Sequence, residues 1–132
     1  GSETILLVED EEPVRRVTRV ILERAGYTVL EACDGVQALA VADAYAGRIH
    51  ALLTDVVMPH MSGPELARRL LLRRPEIGIL CVSGYTDDIT IEHALGGRRV
   101  AFLQKPASPS DLKSKLREVL DACQVDASKP SV

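Results

Sequence analysis

Four short apolar runs in this chain each stop at a group that can do chemistry. Ile5-Leu6-Leu7-Val8 ends in Glu9-Asp10, Ala51-Leu52-Leu53-Thr54 in Asp55, Ile79-Leu80-Cys81-Val82 in Ser83, and Val100-Ala101-Phe102-Leu103 in Gln104-Lys105. Carboxylates that converge repel one another, and a hard divalent cation relieves the repulsion. Mg²⁺ suits such a set, with Mn²⁺ as a substitute, because it takes one or two carboxylates and keeps its other positions for water and phosphate oxygens. An ammonium from Lys105 and a hydroxyl from Ser83 beside one carboxylate form a receptor for an anion attached to that carboxylate. Asp55 then reads best as a nucleophile that becomes an acyl phosphate. Singly, each residue has a plainer reading: acids after the first run as helix caps, Ser83 as a turn residue, Lys105 as a solvated charge. All four at the ends of such runs favour chemistry.

The groups can meet only if the runs are parallel strands, whose carboxyl ends share one edge of a sheet. The rest of the chain supplies the connections. After Glu9-Asp10-Glu11-Glu12 and Pro13, Val14, Val17, Ile21 and Ala25 recur at helical spacing, with Gly26 where a C-cap belongs. Thr28 to Ala32 reads as a second strand, ending without a functional group. Asp34 caps the next helix, with Leu39, Ala42 and Ala46 inward and Gly47 closing it. Pro59 blocks extension of the third strand, and Ser62 and Glu65 have capping-box spacing for a helix carrying Leu66, Ala67, Leu70 and Leu71. A short helix is expected over 87–95, where the apolar stripe is poor. Ser108 and Pro109 open a last helix with Leu112, Leu116, Val119, Leu120 and Cys123 on its inner face. Repeated βα units imply a doubly wound parallel α/β sheet with helices on both faces.

Length and composition narrow the function classes. The chain has 132 residues, enough for one domain, which we expect over 4–123, with residues 1–3 an N-terminal scar and 124–132 a polar tail. One Phe, three Tyr and no Trp leave an aliphatic core. Sixteen basic residues against nineteen acidic, net −3, give no electrostatic case for nucleic acid. No apolar run approaches the roughly 20 residues of a membrane span, and the odd count of three cysteines, without metal spacing, points to reduced thiols in the cytoplasm. His50, His60 and His93 sit on separate segments, and the pairs Arg68-Arg69, Arg73-Arg74 and Arg98-Arg99 read as solvated faces.

Together, Ile-Leu-Leu-Val-Glu-Asp-Glu, Thr-Asp-Val-Val-Met-Pro, Val-Ser-Gly-Tyr-Thr-Asp-Asp and Leu-Gln-Lys-Pro resemble the receiver domain of two-component response regulators. The opening motif and the Ser-Gly-Tyr-Thr-Asp-Asp stretch are most like receivers at the carboxyl end of hybrid sensor histidine kinases, and the tail after Cys123 reads as a natural chain end. The resemblance implies a flavodoxin-like fold with strand order 2-1-3-4-5, which sets Asp10 and Asp55 facing each other across the switch point. It implies a phosphorelay role: Mg²⁺-dependent transfer from a partner histidine kinase or histidine phosphotransfer domain to Asp55, switching the surface of the fourth helix, fifth strand and fifth helix. Asp10 would be a direct metal ligand, Glu9 a ligand through water, and Val57 a ligand by its backbone carbonyl. Ser83 would be the switch hydroxyl, Lys105 the partner of the phosphoryl group, the Lys105–Pro106 bond cis, and Phe102 the aromatic switch residue. Val57 and Tyr85 would set the lifetime of the phosphorylated state.

Two departures from the family pattern stand out. Phe102 carries no hydroxyl, so a switch through a tyrosine hydrogen bond is closed to it, and Ala107 replaces a bulky residue before the last helix. A phosphohydrolase with an Asp nucleophile is the rival reading. Enzymes resembling haloacid dehalogenases have a second acid two residues on, where this chain has Val57. A pseudo-receiver would lack one of the four groups, and none is missing.

Overall fold

The computed structural model describes residues 2–84, 100–105 and 107–128. Strand and helix alternate as β1 (Thr4–Val8), α1 (Glu12–Arg24), β2 (Thr28–Ala32), α2 (Gly35–Ala44), β3 (Ala51–Asp55), α3 (Gly63–Arg73), β4 (Gly78–Ser83), β5 (Val100–Gln104) and a last helix (Pro109–Ser128). The helix expected over 87–95 lies outside the described residues, as do Tyr85, His93, the Arg98-Arg99 pair and Pro106. All strand pairs are parallel, in the order β2-β1-β3-β4-β5 that the resemblance implied.

β1 and β3 are buried at every position because helices cover the sheet on both faces. Side chains alternate between the faces. Leu6, Val8 and Leu52 join Ala38, Ala42, Leu66 and Leu70 on one side, while Ile5, Leu7 and Leu53 join Leu22, Leu112, Leu116 and Leu120 on the other. Arg117 fastens the last helix to the start of β1, donating to Glu3 Oε2 at 2.6 Å, and this bond holds the Glu3 carboxyl below the usual carboxylate range.

Three expectations need correction. Val14 and Val17 recur at helical spacing, but they are exposed at 40% and 61%, and Leu22 is the residue of α1 that enters the core. Those valines instead line a cleft of about 630 Å³ between α1 and the last helix. Second, α2 stops at Ala44, so Ala46 is exposed and Gly47 lies beyond the helix. Its end is closed from a distance by Arg74, whose guanidinium donates to the carbonyls of Ala42 at 2.8 Å, Tyr45 at 2.9 Å and Gly47 at 3.0 Å. A charged donor on the final carbonyls does the work of a C-cap and matches the negative end of the helix. Third, the last helix runs on to Ser128, so residues 124–128 of the expected tail are helical.

The plain reading of His50 is borne out, with a consequence for pH. The Thr4 N–H donates to His50 Nδ1 at 2.9 Å, and the His50 N–H donates to the Thr4 carbonyl at 2.8 Å, tying the start of β3 to β1. Burial, reinforced by Arg48, holds the imidazole below its ordinary pKa. The unfolded chain therefore takes the proton more readily, so this contribution to stability is full above about pH 6.5 and lost as pH falls through the folded-state value. Urea titrations at pH 7.5 and 5.5 should show wild type losing more stability on acidification than His50→Asn, which keeps an acceptor but cannot titrate. Equal losses would exclude the role. Comparing the two proteins cancels other groups that titrate in this range.

Candidate functional site

The carboxyl ends of β1, β3, β4 and β5 meet at one edge of the sheet, as parallel pairing requires. Glu9 follows β1 directly. Its N–H donates to the Ala32 carbonyl at 3.2 Å, and its Oε2 accepts the Glu11 N–H at 3.2 Å, so both main chain and side chain are held. Asp10 projects next and is exposed, whereas Glu9 and Asp55 are buried. Carboxylate oxygens of Glu9, Asp10 and Asp55 lie within 4.8 Å of one another.

Asp55 owes its placement to the loop that follows it. The Val56 N–H donates to the Val82 carbonyl at 3.1 Å, which carries the β3–β4 ladder one residue past the strand. The chain then turns back through Pro59 and His60, the latter in the left-handed region at φ 69°. It returns so closely that the Gly63 N–H donates to the Val56 carbonyl at 2.8 Å, and a Cβ on Gly63 would lie 2.1 Å from the Asp55 carbonyl oxygen. Ser62 Oγ accepts the Glu65 N–H at 3.2 Å and starts α3 as its spacing predicts. The Glu65 carboxylate pairs with Arg68 and Arg69, so these two arginines are partnered on their own helix.

Lys105 closes the cluster. Its Nζ is 2.9 Å from Asp55 Oδ1 and 3.9 Å from Glu9 Oε1. Burial works to lower its pKa, but the Asp55 and Glu9 carboxylates outweigh it and hold the ammonium above its ordinary value. For Glu9, burial and then the bond shared with Asp55 push the carboxyl up to about 8. One ammonium thus leaves the three acids short of neutralised. The donor set is all oxygen, anionic and open to solvent through Asp10, which fits a hard cation such as Mg²⁺.

Ser83 ends β4 and is buried, and its carbonyl accepts the Lys105 N–H at 2.8 Å, which joins the two loops that bear the hydroxyl and the ammonium. Val57 stands in the loop after β3 with its side chain 81% exposed. Phe102 is apart from the cluster, mid-strand in β5, half-buried against the core on the α2–α3 side. Sequence reasoning missed Gly63 and Arg15, whose guanidinium donates to the Glu9 carbonyl at 2.7 Å. A glycine opening a helix was the available signal for the first; nothing local announced the second.

Comparison with known proteins agrees with this geometry. Residues 5–117 match the family model described as the response regulator receiver domain. The sensor kinase CckA of Brucella abortus (strain 2308) is 40% identical over 121 residues, covering 92% of this chain and 13% of that protein. The response regulator receiver protein CpdR of the same organism is 35% identical over 118 residues, covering 89% of this chain and 97% of CpdR. The crystal structure of the receiver domain from the hybrid histidine kinase CckA superposes with a TM-score of 0.76 at 36% identity, covering 89% of this chain and 98% of that one. The chain belongs to the response regulator receiver domain family of two-component signalling.

Proposed function

We propose that this chain is the phosphoacceptor of a phosphorelay, with Asp55 as the residue that is phosphorylated. The observation that carries the reading is a buried carboxylate with an ammonium at 2.9 Å and two further acids within 4.8 Å. One Asp55 oxygen attacks the phosphorus of a partner's phosphohistidine, the P–N bond breaks, and the imidazole leaves with the electron pair and takes up a proton. Lys105 moves from the Asp55 carboxylate to the incoming phosphoryl oxygens, and Ser83 donates its hydroxyl to them. Asp10, Asp55 and the Val57 carbonyl would hold Mg²⁺ directly and Glu9 through water, and the ion would supply positive charge to offset that on the phosphoryl oxygens. The partner, a histidine kinase or histidine phosphotransfer domain, supplies the activated phosphate, so the module catalyses only its own phosphorylation and its slow loss.

The phosphoryl group adds about −1.5 to −2 charge. Ser83 and Lys105 follow it, their loops are already joined by the Lys105 N–H, and the pull reaches β5 and Phe102. The likeness to CckA supports a place in a hybrid kinase for the unit spanning 4–123. Cys33 and Cys81 are reduced, outside any disulfide, which fits a cytoplasmic setting. Among the described residues no helix is long and apolar enough to cross a membrane.

Two measurements check this reading. The purified chain, incubated with acetyl phosphate, should gain one phosphoryl group mapped to Asp55 with Mg²⁺ present and none with EDTA; uptake without a divalent cation, or at another residue, would overturn it. Val57 cannot orient a hydrolytic water, so Val57→Asn with Tyr85→Glu should speed loss of the label about tenfold, the worth of about 1.4 kcal/mol. Unchanged decay would remove these side chains as the clock.

A further inference from the structure

Arg15 lies in the opening turns of α1, four residues after Glu11, whose carbonyl accepts its N–H at 2.9 Å. Its guanidinium reaches back and donates to the Glu9 carbonyl at 2.7 Å. The same guanidinium is braced from behind by β2, where Glu31 Oε1 lies 3.4 Å from Arg15 Nε, while Arg19 donates to Glu31 Oε2 at 2.9 Å. One carboxylate on the edge strand thus locks two arginines of the neighbouring helix. The Arg15 side chain is only 18% exposed, so water competes poorly for these bonds.

The Glu9 carbonyl and the Asp10 N–H belong to one rigid peptide plane. Whatever fixes that carbonyl fixes the direction in which Asp10 leaves the strand, and Glu9 is already pinned by Ala32 and Glu11. We propose that Arg15, braced by Glu31, is a positioning residue of the acidic cleft: by clamping the Glu9–Asp10 peptide it sets the angle at which those two carboxylates approach Asp55. The inference rests on the reading of the cleft as a Mg²⁺ site.

Charge and geometry make opposite demands here, which gives the test its sign. A guanidinium near a cation site opposes cation binding by Coulomb repulsion, so its removal should tighten binding if charge is all that matters. If Arg15 positions the ligands, its removal should weaken binding instead. Titration calorimetry with Mg²⁺ alone, no phosphoryl donor present, on wild type, Asp10→Asn, Arg15→Met and Arg15→Lys separates the two. Arg15→Met should bind about tenfold more weakly than wild type, the low end for residues that orient metal ligands from outside. Arg15→Lys should fall between them, because one ammonium cannot fork between the Glu9 carbonyl and Glu31. Equal or tighter binding by Arg15→Met overturns the inference, even if its melting temperature drops, since that pattern marks a purely structural arginine. Should Arg15→Met fail to fold, affinity of Arg15→Lys equal to wild type overturns it. Wild type that binds no Mg²⁺, or Asp10→Asn that binds as well as wild type, removes the cation site itself and this inference with it.

Discussion

Asp55→Asn should take no label from acetyl phosphate, under conditions where the wild-type chain is fully labelled, and should still fold. The first half follows from chemistry: an amide oxygen is neutral and resonance-stabilised, so it neither attacks phosphorus nor draws a cation into the cleft. The second half follows from crowding. Asp55 is one of three acids whose oxygens lie within 4.8 Å, and its loss relieves the repulsion that burial sharpens for Glu9. What the variant forfeits is the ion pair with Lys105, whose side chain is 45% exposed and whose contribution water largely screens. The two changes oppose, and stability should stay within about 1 kcal/mol of wild type. Mass spectrometry after labelling and a urea titration check the two halves. Label on the variant would displace Asp55 from its role, and an unfolded variant would make Asp55 a structural residue.

Gly63→Ala should be strongly damaging for so small a substitution. Helix propensity alone predicts a gain of nearly 1 kcal/mol, since alanine is the better helix former. The collision predicts the reverse. A Cβ at this position would lie 2.1 Å from the Asp55 carbonyl oxygen and 3.0 Å from its carbonyl carbon, both backbone atoms at the end of a buried strand with no side chain to swing aside. Forcing the loop away from β3 should cost about 3 kcal/mol or more, so the collision outweighs propensity. At roughly 4 °C for each kcal/mol, the thermal midpoint should fall by about 10 °C. Because the strained atoms belong to Asp55, phosphoryl uptake should fall even at temperatures where the variant is folded. A midpoint at or above that of wild type would mean the loop packs differently.

Much of this molecule was legible from local pattern. Continuous apolar runs gave β1 and β3, and the caps at Asp34, Ser62 and Ser108 each accept the backbone N–H that their spacing predicts. The chemical groups were legible because parallel strands deliver their ends to one edge, which makes position along the chain a guide to position in space. Failures came where the deciding contact is distant. Val14 and Val17 look like a core stripe on their own helix, but the last helix does not close over them and they line an open cleft. The end of α2 depends on Arg74, which follows α3, 32 residues beyond Ala42 along the chain. Arg15 depends on Glu31 in another strand, and Gly63 on a loop that doubles back. Glu9's raised pKa likewise needs burial and then Asp55 beside it, both of which only the folded sheet supplies.

The order of strands has a consequence for chains that are made or cut incompletely. Glu9 and Asp10 follow β1, Asp55 ends β3, Ser83 ends β4 and Lys105 follows β5, so the cleft draws on nearly the full run of the sequence. A ribosome that stalls before β5, or a protease that clips behind β3, yields a piece bearing Asp55 without Lys105. Such a fragment retains acids that repel one another and has no means to hold what they would accept. A copy cut before β5 should therefore fall silent and send no false signal.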